Sequence, residues 1–460
     1  MTSEYTKIIK DYQNIVNSTL DVAEGKVLII DNDDHNKLDH LINLALEKNP
    51  DFILTSLKSK IEHKKVLKVE DYSQLIENVL LNLHKDYKQL NYFGITGTNG
   101  KTTSAFYLSQ LIKEKTIFIG TLNQKKLFKF TNEKNLTTPK LFNLVKLLSN
   151  QKRVIENVIL EMSSHALEQN RIDGVKFAVS GFTNLSQDHL DYHNTMEEYF
   201  LAKSKLFNTD KSDKFLFMDN IYGNKINQMY NNSGFSVGIS NKNDVQLLKS
   251  DKKNIKFRIE NKTFESQSNV SGPESYNNLL LSLGMAYFSE LFSFDKIVKN
   301  IPNVSNPPGR FEEIKTEKGI VVIDYSHSPD SIHKVITYSQ KKYNKKIIVV
   351  FGAGGERDKS KRKYMGEAAN QADKIILTND NPRREDPNTI INEIISGINL
   401  NKKVEVITNR FEAIKQSISL LDKEHVVLIL GKGHENIQEI NDQELVFNDK
   451  ETVMKIIGEI

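Results

Sequence analysis

Short apolar runs alternating with helix-patterned stretches along almost the whole sequence predict an α/β protein of about three domains with mostly parallel sheets. Two further observations carry that reading. The 460 residues suit roughly three domains and leave room for a large core. The stretch GITGTNGKTTSAF at 94–106 sets a strand, a glycine-bearing loop and a helix start in direct succession, the order in which α/β folds bind anions.

In chain order, KVLII, DFILT and KKVLKV read as strands of a small N-terminal α/β domain, with HNKLDHLINLALEK and YSQLIENVLLNLHKDY as its helices. Its lysine-rich polar faces read as solvated surface. From about residue 89 a longer α/β region follows, with NVILEM and KFAVSGFTNL as buried strands. Strand-like runs then mix with Asn and Ser turns from DKFLFMDN to VSGPES. After NVSNPPGRF the pattern restarts with GIVVIDYS, KKIIVVFGAGG, DKIILTND, KVEVIT and HVVLILGKG, most of them followed by a helical stretch. The Pro-Pro-Gly at 307–309 marks the last boundary, so the expected domains are 1–88, 89–311 and 312–460. There is no internal repeat and no long low-complexity tract.

In the loop at 94–106, glycines let backbone N–H groups close around phosphate oxygens, Lys101 offers an ammonium and Thr102 a hydroxyl suited to Mg²⁺. The spacing is shorter than the full P-loop pattern: Ile95 stands where that pattern has its first glycine, and the nearest glycine is Gly97. Alone, such a loop is also compatible with a chance turn.

Composition narrows the function. Sixty-three Lys and Arg against 59 Asp and Glu leave a formal charge of +4, which gives no support to a nucleic-acid binder. The absence of cysteine excludes disulfides, thiolate nucleophiles and Cys-based zinc sites. No apolar run approaches the roughly 20 residues of a membrane span, and MTSEYTKIIKDYQNIV has no apolar core of signal-peptide type, so no membrane insertion and a cytoplasmic location are expected.

Three further stretches bear on chemistry. Glu161 ends a buried strand, where a carboxylate either reaches a ligand over the sheet edge or is merely solvated. His189 and His193 are four apart and share a face if helical, but Leu190 stands where the zincin pattern needs its glutamate, leaving a core or surface pair as the alternative to a metal site. Lys203 reads, without context, as a helix-surface lysine.

Together GTNGKTT, EMSSHALEQNR, FTNLSQDHLDYH, AKSKLF, PPGRFE, VVIDYSHSPDS, FGAGGERDKSKRKYMG, TNDNPRREDP and ILGKGHENIQ resemble, in order and rough spacing, the Mur ligases. They are most similar to the branch that adds the third residue of the peptidoglycan stem peptide. The resemblance covers residues from about 92 to the C-terminus. It implies a uridine-binding N-terminal domain, a central P-loop ATPase-like domain and a C-terminal Rossmann-like domain that holds the incoming amino acid. It also implies a reaction in which the γ-phosphoryl group of ATP passes to a peptide carboxylate and an amine displaces the phosphate. The expected partners are therefore small molecules, namely ATP, a UDP-muramoyl-dipeptide and diaminopimelate, and a monomer is expected.

The same resemblance assigns residues. Gly97, Thr98, Asn99, Gly100, Lys101, Thr102 and Thr103 would hold the ATP phosphates, with Asn278, Arg310 and Asp324 as further ATP contacts. Thr102 with Glu161 would bind one Mg²⁺, and Glu161, His189 and a carbamylated Lys203 a second. The carbamate turns a cation into a hard anionic oxygen donor. Thr137, Thr138, Ser163, Ser164 and Arg171 would hold the muramoyl-peptide, although Thr-Thr-Pro alone is equally a plain turn. Ser275 departs from the family, which usually has Asn there, and this puts part of the adenine pocket in doubt.

In the third domain, Asp-Asn-Pro-Arg at 380–383 is similar to the motif of relatives that take meso-diaminopimelate; lysine-adding relatives lack the arginine. Diaminopimelate is lysine with a second carboxylate, which a guanidinium matches bidentately. Arg383 takes that role by resemblance, with Arg357, Asp380, Asn381, Gly431 and Glu435 as neighbours and Glu435 available for the distal ammonium. The plainer alternative pairs Arg383 with Glu385 or Asp386. Arg384 is a departure expected to add charge near the site. Lysine, ornithine or lanthionine as the amine, or a folylpolyglutamate-synthetase-like activity, are the competing readings. Residues 1–88 hold a single glycine, Gly25, and match none of the family's uridine loops. That domain therefore looks reduced, binding uridine through other residues, with Lys26, Lys58, Lys64 and Lys65 as candidates, or serving mainly as structure.

Overall fold

The computed structural model describes residues 12–32, 34–131, 136–251 and 253–458; residues 1–11, where the reading of the N-terminus began, lie outside them. The chain divides into two compact units, Met1–Phe93 with Glu114–Ala178, and Gly94–Lys113 with Val179–Ile460.

In the first unit, strands Ile15–Val16, Val27–Ile29, Phe52–Ser56 and Val66–Val69 form a parallel sheet in chain order. Alternation along the strands divides the core in two. Ile15, Val27, Ile29 and Leu54 point to one face, where helices Tyr72–Leu83 and Leu141–Ser149 bring Leu75, Val79, Leu80 and Val145. Val16, Leu28 and Ile53 point to the other, against Leu38, Ile42 and Ala45 of helix His35–Glu47. Each such buried aliphatic side chain contributes about 1.5–3 kcal/mol. Both N-terminal helices start at aspartates, Asp34 and Asp71, whose carboxylates accept from the exposed first-turn N–H groups. The buried ammonium of Lys146 donates to the carbonyls of Gln13 and Ile15, both at 2.7 Å, and so ties helix Leu141–Ser149 to the first strand. Strands Thr116–Ile119 and Asn157–Glu161 pair in parallel in the same unit.

The second unit holds two layered α/β arrangements. In the first, the phosphate loop leads into helix Lys101–Ile112, which packs on helix Ser275–Phe288; the Ser282 hydroxyl donates to the Ser104 carbonyl at 2.8 Å. Beside them strands Ser212–Met218, Phe235–Gly238 and Val245–Asp251 run parallel, and Asn254–Ile259 and Lys262–Gln267 extend the sheet antiparallel.

The second arrangement is a six-stranded sheet in the order Glu312–Lys315, Ile320–Asp324, His425–Leu430, Lys346–Phe351, Lys374–Leu377, Lys403–Val406. Only the first pair is antiparallel. Helices Pro329–Tyr343, Lys361–Ala369 and Pro387–Ile395 cover one face, and Arg410–Ser419 and Asp449–Ile457 the other. The last parallel strand, His425–Leu430, returns to lie between the first two parallel strands in chain order, Ile320–Asp324 and Lys346–Phe351. Strand order reverses there, and α/β sheets open their ligand crevice beyond the carboxyl ends at such a point. Asp324, Arg357, Asp380, Asn381, Arg383, Gly431 and Glu435 all lie at or just past those ends.

The fold is thus the mixed α/β architecture that the sequence predicts. No helix among the described residues is long and apolar enough to cross a membrane.

Candidate active site

The phosphate loop of the second unit is braced from behind. Thr183 and Asn184 side chains donate to the Asn99 carbonyl at 2.6 and 3.1 Å, and the Asn99 N–H donates to Asn184 Oδ1 at 3.0 Å. Thr98 Oγ1 accepts from the Ser186 N–H at 3.0 Å and lies 3.2 Å from the Tyr199 hydroxyl. Both loop glycines are obligatory. Gly97 has φ +144° and a Cβ there would sit 1.9 Å from Thr183 Oγ1; Gly100 has φ +88° and its Cβ would sit 2.5 Å from Asn278 Oδ1.

Positive charge converges on this loop. Lys101 Nζ donates to the Gly97 and Thr98 carbonyls at 2.9 and 2.8 Å, and Lys203 Nζ donates to the same Gly97 carbonyl at 2.8 Å. Lys203 is not a surface lysine: it is 1% exposed, with its ammonium 4.5 Å from the Tyr199 ring centroid. Burial and the neighbouring Lys101 push its amine well below the usual lysine range. Arg310 reaches Thr102 Oγ1 at 3.4 Å and lies over the Tyr325 ring at 4.3 Å, while its Nε is buried without a hydrogen-bond partner.

An open cleft lies beside the loop, lined by Asn99, Gly100, Thr103, Asn278, Arg310 and Asp324 among others. The nucleotide set expected from the sequence is therefore largely gathered on one wall system. Asp324 accepts from the Phe311 N–H at 2.7 Å and from Ser326 Oγ. Asn278 Oδ1 accepts from Ser104 Oγ at 3.2 Å. Ser275, the departure from the family pattern, lines the same cleft with its hydroxyl turned to the Gly272 carbonyl at 2.8 Å.

The two histidines separate. His189 is the N-cap of a single turn, Leu190–His193, at φ +57°, and is half exposed; His193 is buried against the Tyr199 ring at 5.1 Å. They do not form a pair on a helix face, because the helix is too short to set one. His193 is a packed core residue.

Asp188, next to His189, is a residue that sequence reasoning passed over. Its carboxylate pairs with Lys361 at 3.1 Å and lies 3.7 Å from Nε2 of both His327 and His189. Burial pushes its carboxyl up, but Lys361 with the two histidines outweighs this and holds it well below the usual carboxylate range. With Asn99 Nδ2 to Asp330 at 3.3 Å and Gln187 Nε2 to Ser360 at 3.0 Å, these contacts tie the phosphate-loop side to loops of the six-stranded sheet.

At the strand ends of that sheet, Glu435 Oε2 accepts from Asn381 Nδ2 and from Lys432 Nζ, both at 2.9 Å, and Lys432 also donates to Asn381 Oδ1 at 3.0 Å. Lys432 is fully buried and was not singled out from the sequence; its place inside GKGHE was the available signal. Asp380 is buried under Gly431, whereas Arg357 is exposed. Arg383 pairs through Nε with Glu439 at 2.8 Å and donates from Nη1 to the Gly355 carbonyl at 2.6 Å. The plainer expectation, a pair with Glu385 or Asp386, is corrected: Glu385 is taken by Arg362, and Asp386 caps helix Pro387–Ile395. Arg384 does not add free charge to the site; Asp442 binds it, with both oxygens 2.8 Å from Nε, at the exposed surface.

In the first unit, Glu161 is fully buried and accepts from the Thr121 N–H at 2.9 Å and the Thr121 hydroxyl at 3.2 Å, so it is not a solvated strand end. Thr138 Oγ1 donates to the Glu161 carbonyl at 2.6 Å and accepts from the Ser163 N–H at 2.9 Å; Arg171 donates to the Thr138 carbonyl at 3.2 Å. Ser163 caps the short helix Ser164–Glu168. Thr138, Ser163, Ser164 and Arg171 are thus one local cluster, with Thr137 adjoining it in the chain.

Comparison with known proteins gives the family. Residues 95–286 match the Mur ligase middle domain, and residues 309–433 match the Mur ligase, glutamate ligase domain. The chain is 39% identical over 389 residues to the UDP-N-acetylmuramoyl-L-alanyl-D-glutamate--2,6-diaminopimelate ligase of Aquifex aeolicus (strain VF5), covering 81% of this chain and 79% of that one. It is 35% identical over 437 residues to ligase 1 of the same name from Clostridium acetobutylicum, covering 91% and 89%. A solved structure of a ligase of that name superposes with a TM-score of 0.63 at 28% identity, covering 97% and 94% of the two chains. With both domain models matched and 39% identity sustained over 81% of its length, the chain belongs to the Mur ligase family.

Proposed function

We propose that this protein is an ATP-dependent ligase that joins meso-diaminopimelate to UDP-N-acetylmuramoyl-L-alanyl-D-glutamate in peptidoglycan precursor synthesis. The relatives' names support the reaction. The observation that carries the reading to this chain is the arrangement in its second unit, where a phosphate loop and a guanidinium-carboxylate amino-acid site belong to one compact body joined by Asp188–Lys361 and Asn99–Asp330.

In this reading a peptide carboxylate oxygen attacks the γ-phosphorus of ATP, ADP leaves, and the acyl phosphate is attacked by the amine of diaminopimelate, giving the amide, phosphate and a proton. Two anions must meet in the first step, so screening dominates the catalytic task. Lys101 and Arg310 supply fixed cations beside the loop, and the N-terminus of helix Lys101–Ile112 adds its dipole. Asn278, Arg310 and Asp324 take the nucleotide. Thr137, Thr138, Ser163, Ser164 and Arg171 take the muramoyl-peptide. Arg383, Asn381 and Glu435, with Arg357, Asp380 and Gly431 around them, take diaminopimelate.

Mg²⁺ belongs to this reading, with Thr102, Glu161, His189 and Lys203 as its assigned donors. Among the described residues no three His, Asp or Glu side chains are gathered to hold an ion, and a carbamate on Lys203 would add a carboxylate oxygen to the assigned donors. Burial and Lys101 push its amine well below the usual lysine range, toward the neutral form that adds CO₂ to become a carbamate. The bound ion would screen phosphate charge.

The domain boundaries 1–88, 89–311 and 312–460 remain part of this reading, as do a monomeric state, a cytoplasmic site of action and uridine binding by the N-terminal segment. An unchanged kcat/KM on a substrate stripped of uridine would refute the last. The reaction itself is tested by the mass of the product formed from ATP, the UDP-muramoyl-dipeptide and each amine in turn. Diaminopimelate should give the tripeptide, whereas a product from lysine, ornithine or lanthionine in its place, or from a folate, would replace this reading.

A further inference from the structure

Arg383 is held by more than a surface ion pair. Its Nε lies 2.8 Å from Glu439 Oε2 in an ion pair, and its Nη1 donates to the Gly355 carbonyl at 2.6 Å. The backbone fixes the two residues side by side: the Arg383 N–H donates to the Glu439 carbonyl at 3.0 Å, the Asn441 N–H donates to the Arg383 carbonyl at 2.8 Å, and Arg383 bridges to Ile440. Glu439 lies on strand Ile437–Ile440 of a hairpin with Gln443–Val446, and its own N–H donates to Asn381 Oδ1 at 3.0 Å. Both side chains are about three-quarters covered, at 23% and 27% exposure.

A guanidinium offers a carboxylate two edges: a side edge made by Nε and one terminal nitrogen, and an end edge made by both terminal nitrogens. In Arg383 the Glu439 carboxylate sits 2.8 Å from the Nε of the side edge as its ion-pair partner. Gly355 takes one N–H of Nη1, which leaves the other N–H of Nη1 and those of Nη2. Nearby, Lys432 and Glu435 are already paired at 2.9 Å, so the four groups Lys432, Glu435, Arg383 and Glu439 balance in charge. A substrate end bearing both an ammonium and a carboxylate keeps that balance. One bearing only an ammonium adds a net charge to a half-buried site.

We propose that Glu439, resting on the diaminopimelate reading above, is a specificity-determining positioning residue: its ion pair holds Arg383 so that the remaining terminal N–H groups of the guanidinium receive the substrate's distal carboxylate. It acts through Arg383 and does not touch the substrate. The opposite role is open to the same carboxylate, since it could occupy Arg383 as an internal competitor, and the two roles predict opposite signs.

The test is steady-state kinetics of the full chain with diaminopimelate and with lysine, for wild type, Glu439→Ala and Glu439→Gln, with thermal unfolding of each. The inference expects Glu439→Ala to raise the KM for diaminopimelate about tenfold or more, with kcat and the KM for ATP within about twofold, as for loss of a charge-assisted contact. Glu439→Gln, whose amide oxygen keeps a polar partner beside Nε, should stay within about threefold of wild type. An unchanged or lowered KM in Glu439→Ala, an equal loss in both variants, or a fall in kcat with a rise in the KM for ATP overturns the inference while leaving the diaminopimelate reading intact. A wild-type enzyme that prefers lysine overturns both.

Discussion

Asp188 and Lys361 form an ion pair at 3.1 Å with both side chains about nine-tenths buried, and through it the loop leading to His189 is bound to the N-terminus of helix Lys361–Ala369. Removing one partner of such a pair leaves an uncompensated buried charge, at a cost of about 3–5 kcal/mol. Asp188→Ala and Lys361→Ala should each lower stability on that scale in denaturant titration. The double variant should lose clearly less than the sum. Strict additivity would mean the two side chains do not interact.

Stability should also fall with acid at an identifiable residue. Hydrogen bonding to Arg362 holds the Glu385 carboxyl down at about 2, with the Glu356 N–H and Lys359 assisting. The folded value lies below the unfolded value of about 4.3, so this contribution is complete above the unfolded value and drains as pH falls toward the folded one. Between about pH 5 and 2, the Tm of wild type should fall more steeply than that of Glu385→Gln. Parallel curves would contradict the assignment.

The fold was legible because its signals are local. Buried parallel strands such as GIVVIDYS and HVVLILGKG are continuous apolar runs, and helices such as HNKLDHLINLALEK show apolar residues at helical spacing. The phosphate loop was legible too, because glycine, lysine and threonine must be close in sequence to act together. Asp188, Lys361, Lys432 and Glu439 were not, since each acquires its meaning from a partner brought in by the fold: Asp188 and Lys361 are 173 positions apart. Lys203 shows the limit most plainly. Its helix, Met196–Ser204, has no marked apolar stripe to say which side is covered, so only packing reveals that the lysine is buried.

Because Lys203 is buried beside the phosphate loop and is assigned the carbamate, Lys203→Ala should reduce activity by orders of magnitude. A small carboxylic acid added to that variant should restore part of it by placing an oxygen anion in the space left. Full activity of the alanine variant would remove the carbamate from the account.

Arg383→Ala should raise the KM for diaminopimelate by roughly 10- to 150-fold, the equivalent of about 1.5–3 kcal/mol for a lost charge-assisted contact, with the KM for ATP nearly unchanged. A variant whose preference between diaminopimelate and lysine equals that of wild type would show that the guanidinium does not read the second carboxylate.

The central claim is that phosphate released from ATP is coupled to joining an amine to a muramoyl-peptide. It is tested most directly by measuring phosphate release from ATP and Mg²⁺ with the UDP-muramoyl-dipeptide present or omitted and diaminopimelate present or omitted. The account predicts sustained release only when both are present, with one phosphate for each amide formed. Sustained release with ATP alone, or none with the complete set, would contradict it.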